Sequence, residues 1–246
     1  MIRTLVFLLG LAAAQASAAC EEVTFDGAPF TTCRIDLAET ETRLFLRDAA
    51  GAIYGSFGRV EAALPPGKRL GVAMNAGMFH EDRSPVGHYI ENGVEEMRVI
   101  TSEGPGNFGL LPNGVLCLME GRAAIVESRA YAAAPPACRD ATQSGPMLVI
   151  DGALHPRFIA DGTSRNIRNG VGVEENGRIL HLVISDTPVN FHHFARFFRD
   201  HLGVPQALYL DGRVSRLYAP MMGRADFGLP VGPIIGTVVD AAPAGG

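Results

Sequence analysis

Asn-Gly occurs three times between apolar segments, at Asn92-Gly93, Asn113-Gly114 and Asn176-Gly177. The pair accepts the positive φ angles of tight hairpin turns, so each occurrence predicts an antiparallel pair of strands. The last is the clearest, with Val171-Gly172-Val173 leading in and an apolar run over 179–184 leading out. Asp26-Gly27-Ala28-Pro29 predicts an opening hairpin, and Asp151-Gly152 reads most simply as another turn. The continuous apolar run at 70–74 suits a fully buried strand, 147–150 and 233–239 add more strands, and 43–47 alternates as a half-buried strand does. One helix is predicted from Asn190 as N-cap, with Phe191, Phe194, Phe198 and Leu202 on one face and Gly203 at its end. That stripe reads as core, and His192 and His193 diverge on its flanks, so they make a poor metal pair. The fold expected is α+β: predominantly antiparallel or mixed β-sheets with a few packed helices, in a single domain.

With 47% apolar residues in 246, the chain can bury a substantial core. Its 21 basic residues form no block, and the balance is net acidic at −5, which argues against a nucleic-acid partner. Arg3, the apolar run over 5–14 and Ala16-Ser17-Ala18 have the anatomy of a signal peptide, expected over 1–19, leaving 20–246 as the working domain. That run falls short of the roughly 20 apolar residues of a membrane-spanning helix, and no integral membrane segment is expected. Acylation at Cys20 is disfavoured by Ser17 three residues before it. Cys20, Cys33, Cys117 and Cys138 make an even set without C-x-x-C spacing, expected as disulfides 20–33 and 117–138 rather than metal ligands. The protein is expected to be exported, periplasmic or secreted, with the periplasm as first choice.

Four buried runs begin or end in polar, glycine-bearing stretches: Asn75-Ala76-Gly77-Met78-Phe79, Ser144-Gly145-Pro146-Met147-Leu148, Arg168-Asn169-Gly170-Val171-Gly172 and Leu208-Tyr209-Leu210-Asp211-Gly212. A carboxylate at the end of a hydrophobic strand is costly unless it has partners or work, which singles out Asp211 and, second, Asp186. Asp186 equally suits helix capping. Arg168 offers a planar fork of donors for phosphate or carboxylate, with a surface salt bridge as the plain alternative. Asn75 and Gly77 suit either substrate contact or an ordinary turn. Ser144 lacks a G-x-S-x-G context and an ordered acid and base, so it reads as a binding residue rather than a nucleophile. His80 and His88 lie near the first stretch without a third ligand at metal spacing, and no metal or cofactor is expected.

These four stretches, in this order and spacing, resemble the phosphodiester glycosidase family over about residues 70–240. The resemblance implies an α+β domain whose strand ends line a cleft that acts on a carbohydrate-phosphate substrate. It places Asn75, Gly145, Gly212 and Ser215 as substrate-binding residues, Arg168 on the phosphodiester, and Asp211 with Gly212 at an acidic corner. Gly77, Ser144 and Asn169 are expected as further substrate-binding residues, with Asp211, second Asp186, as the catalytic carboxylate and Arg168 stabilising the departing phosphate. Two departures are visible: Arg213 and Val214 follow the Asp-Gly pair where the family has glycines and serines, and Arg168-Asn169 stands where it has Arg-Thr. The activity implied is hydrolysis of a glycosyl phosphodiester on the sugar side. The alternative is a non-catalytic envelope protein that binds a glycan or a phosphate-bearing polymer, with Arg213 filling the corner. No protein partner is indicated.

Overall fold

The computed structural model describes residues 18–211 and 214–241, so the expected leader peptide falls almost wholly outside them. Strands dominate, in three sheets among the described residues. A seven-stranded sheet runs through Ala19–Phe25, Ala28–Asp36, Ile179–Ser185, Asn169–Val173, Gln206–Tyr209, Met147–Ile150 and Ala153–Leu154. A five-stranded sheet is ordered Arg224–Ala225, Leu217–Ala219, Lys68–Asn75, Ile234–Asp240 and Glu41–Phe45. The other five-stranded sheet is ordered Val94–Met97, Tyr89–Glu91, Asp140–Ser144, Gly114–Met119 and Arg122–Glu127. The pairing is antiparallel, and with its few short helices the architecture is the α+β fold expected.

Turn chemistry accounts for much of this order. Asp26-Gly27, Asn92-Gly93 and Asp151-Gly152 all adopt paired positive φ angles, from 47° to 79°, and each closes a hairpin. Asn176-Gly177 also joins an antiparallel pair, with Gly177 at φ 74°. Asn113-Gly114 corrects the expectation of a third Asn-Gly hairpin. Gly114 instead opens a strand and lies between Glu127 and Ser144. A Cβ there would sit 3.1 Å from Met147 Cγ, so this glycine serves close packing and not a turn.

Alternation along the central strands decides what each face buries. Val171, Val173, Leu180, Leu182, Ile184 and Leu208 meet Leu44, Val72, Met74, Leu116 and Leu118 of the other sheets in one shared core. The opposite face, with Val183, Ala207 and Tyr209, is covered by the helix Phe191–Arg196 and its π-turn continuation Phe197–His201. Asn190 caps that helix as expected, its Oδ1 accepting the His193 N–H at 2.8 Å. The wider π-turn, which the periodicity does not predict, buries Phe197 beside Phe194 and Phe198. Each such ring contributes about 1.5–3 kcal/mol by leaving water. Gly172 lets them press onto the sheet, since a Cβ there would lie 2.8 Å from Phe198 Cδ1.

Both expected disulfides form, Cys20–Cys33 across the first hairpin and Cys117–Cys138 between strand and loop. No helix among the described residues is long and apolar enough to cross a membrane.

Candidate active site

The strand carrying Tyr209 lies between Asn169–Val173 and Met147–Ile150, and both neighbours hold the chain as it leaves the sheet. The Tyr209 N–H donates to Pro146 O at 3.1 Å and the Leu210 N–H to Asn169 O at 3.1 Å. Two fully buried asparagines then take over the role of strand partners. Asn169 Oδ1 accepts the Asp211 N–H at 3.0 Å and the Ser215 hydroxyl at 3.3 Å, while its Nδ2 donates to Asn75 O at 2.8 Å. Asn75 Nδ2 donates to Val214 O at 2.6 Å, and Asn75 Oδ1 accepts the Arg216 N–H at 2.9 Å. The Ser144 hydroxyl donates to Leu210 O. The four polar stretches are thus joined through the segment on either side of residues 212–213.

Two cavities open beside this knot. One, of about 670 Å³, is lined by Asp211 with Phe79, His80, Glu81, Arg83, Val214 and Leu229. The other, of about 660 Å³, holds Asp186, Ser215, Arg216, Arg224 and Asp226. Val214 and Leu229 line both. Asp211 and Asp186, the two expected carboxylates, therefore face different chambers. Asp186 accepts from Arg224 Nη1 at 2.6 Å and from the Thr31 hydroxyl at 2.8 Å. Glu81, Arg83 and Arg216 were missed by the sequence reading. Their only signal is adjacency, since Glu81 and Arg83 follow the Asn75 stretch directly and Arg216 follows Ser215. Among the described residues no group of three or more His, Cys, Asp or Glu side chains is arranged to hold a metal ion.

Several expected contact residues lie beneath these chambers. Asn75, Ser144 and Asn169 are fully buried and spend their side chains on the main chain. A Cβ on Gly77 would lie 2.4 Å from Thr142 Oγ1, and one on Gly145 2.5 Å from Asn113 Cβ, so close packing accounts for both glycines. Arg168 is fully buried, its guanidinium donating to Val189 O at 2.9 Å, Tyr209 Oη at 3.1 Å and Ser164 O at 3.0 Å. It also stacks 3.7 Å above the Phe191 ring. Burial pulls the Arg168 pKa below its ordinary value, against the pull of Tyr209. The same burial raises the Tyr209 phenol to about 12, although the neighbouring Arg168 charge opposes it. Arg168 lines neither chamber, and touching a phosphate there requires it to leave these partners. Gly212 and Arg213 lie outside the described residues, and with them the feature on which the binding-protein alternative turned.

Residues 68–227 match the family model described as phosphodiester glycosidase, a span that includes Asn75, Ser144, Arg168 and Asp211. The chain belongs to the phosphodiester glycosidase family. A relative in that comparison of sequences is the uncharacterized protein YigE of Escherichia coli (strain K12), 34% identical over 176 residues, covering 72% of this chain and 68% of YigE. Among solved structures, a hypothetical protein from Synechocystis superposes with a TM-score of 0.58 at 16% identity, over 90% of this chain and 62% of that one. This chain therefore spans less than two thirds of the Synechocystis protein. The catalytic domain of zebrafish N-acetylglucosamine-1-phosphodiester alpha-N-acetylglucosaminidase, auto-inhibited by its pro-peptide, gives a TM-score of 0.58 at 14% identity, over 89% of this chain and 81% of that one. At such identities the two structures show that the phosphodiester glycosidase fold is shared.

Proposed function

We propose that this protein is an exported hydrolase that cleaves a glycosyl phosphodiester on the sugar side, with Asp211 as the working carboxylate. The observation that carries the reading is a nearly buried carboxylate, 6% exposed, in the wall of a 670 Å³ cavity of a phosphodiester glycosidase chain. Breaking the bond between the sugar carbon and the phosphate oxygen expels a stable anion that needs little protonation. One positioned carboxylate then suffices, either as base toward water or as nucleophile at the sugar carbon. Glu81, in the same cavity, is available as a second carboxylate. Asn75 and Asn169 position Asp211 from below, and Arg168 stiffens the floor through Tyr209. Export is supported by the two disulfides and by the leader-like first residues.

The test is release of free sugar from synthetic glycosyl phosphodiesters. Asp211→Asn is expected to lower turnover by at least about 100-fold, the usual scale for losing a positioned acid–base group. Full turnover in that variant would remove Asp211 from the mechanism.

A further inference from the structure

The second chamber distributes its charges unevenly. Arg224 is fully engaged, with Nη1 donating to Asp186 and Thr31 at 2.6 and 2.8 Å and with Nε and Nη2 each 3.1 Å from Asp226. Asp226 also accepts the Leu217 N–H at 2.9 Å. Asp186 is thus turned onto Arg224 and Thr31, and Asp226 onto Arg224 and the main chain. Arg216 is the exception. The residue is 8% exposed and lines the chamber, yet its guanidinium makes no hydrogen bond or ion pair with any of the described residues. Burial pulls its pKa down, opposed only by the field of Asp226. Gly228 makes room for the group, since a Cβ there would lie 2.8 Å from Nη2.

The Arg216 residue is mostly buried, but its guanidinium reaches the chamber with no described side chain hydrogen-bonded to it, so a ligand entering there can take up its donors. What fits is an oxyanion, because the planar fork of donors matches two phosphate oxygens at once. The position suits a substrate that spans both chambers. Val214 and Leu229 form the shared wall, and the Arg216 main chain is fixed by the same Asn75 side chain that holds Val214. We propose that Arg216 binds the phosphate of the substrate while the sugar carbon faces Asp211. This assignment rests on the glycosyl phosphodiester reading for its substrate, and on the unpartnered guanidinium for its place.

Calorimetric titration with inorganic phosphate tests it on the full chain. The wild type is expected to bind phosphate saturably, and Arg216→Gln to bind it at least about tenfold more weakly, the scale of one charge-assisted hydrogen bond. Gly228→Ala, on an exposed loop, crowds the same guanidinium without deleting a charge, and at φ 136° it also strains the loop that packs on it, so it is expected to weaken binding too. Asp211→Asn is expected to keep phosphate binding while losing turnover. In turnover assays Arg216→Gln should raise KM more than it lowers kcat. No saturable phosphate binding by the wild type, or equal Kd in wild type, Arg216→Gln and Gly228→Ala, overturns the proposal. Phosphate binding that depends on Arg216 in a protein inactive on every glycosyl phosphodiester sinks the hydrolysis reading and keeps the anion subsite. Hydrolysis with phosphate binding indifferent to Arg216 does the reverse.

Discussion

Asn169→Ala should be among the most damaging polar substitutions in this chain, and its cost can be worked out from the contacts. The side chain is fully buried and satisfies three groups: Asn75 O, the Asp211 N–H and the Ser215 hydroxyl. Ser215 has a second acceptor in Ile167 O at 3.2 Å, so it is not stranded. Asn75 O and the Asp211 N–H are left with that partner gone. A buried polar group deprived of its partner costs roughly 1–3 kcal/mol, so the pair predicts a loss of about 2–6 kcal/mol. With a urea m-value of about 3 kcal/mol/M, the midpoint should fall by about 1–2 M. Arg178→Ala is the control. Arg178 pairs with Asp36 at 2.7 Å but is half exposed, and solvent screening leaves such a pair little to contribute. Urea titrations of the wild type and both variants, followed by circular dichroism, make the comparison. If Asn169→Ala loses no more stability than Arg178→Ala, the view of Asn169 as a clamp on the Asp211 segment is refuted.

Other outcomes follow from the same contacts. Burial lowers the pKa of His88, His155 and His181 from 6.5, so below that pH the unfolded chain binds more protons than the folded one. Their stabilisation is complete above pH 6.5 and is lost as the pH falls through the depressed folded values; urea midpoints that stay flat between pH 7.5 and 5 would contradict this. Replacing both Cys117 and Cys138 by Ala opens a link across 21 residues and should cost about 3 kcal/mol, read from the thermal or urea midpoint. Gly172→Val drives methyl groups into Phe198 and Val204 and should destabilise by about 1–3 kcal/mol, with near-ultraviolet dichroism showing the disturbed rings.

What could be read ahead of the structure was whatever local chemistry alone decides. Hairpins at 26–27, 92–93 and 151–152 follow from residues that tolerate positive φ, and the Asn190 cap follows from one side-chain acceptor. Asn113-Gly114 misled because glycine gives the same signal for a turn and for close contact with Met147. The same ambiguity holds at Gly77 and Gly145, where close approach to Thr142 and Asn113 by itself calls for glycine. Asp211 stood out as a charge ending an apolar run. Glu81, Arg83 and Arg216 did not, because loops bring them to the chambers and no periodicity fixes where a loop side chain points. That Arg168 spends its donors on carbonyls and a phenol depends on Ser164, Val189 and Tyr209, partners up to 41 residues away.

The sheet order also bears on where this unit can be cut. The family match covers 68–227, yet the strand Ile234–Asp240 runs between Lys68–Asn75 and Glu41–Phe45, and Ala28–Asp36 pairs along the length of Ile179–Ser185. A fragment trimmed to the matched residues would lose an interior strand from each of two sheets and expose open edges that invite aggregation. The matched span of this chain is thus shorter than the set of paired strands that completes its sheets. Expression trials and domain swaps should take their boundaries from strand pairing, outside residues 19 and 240.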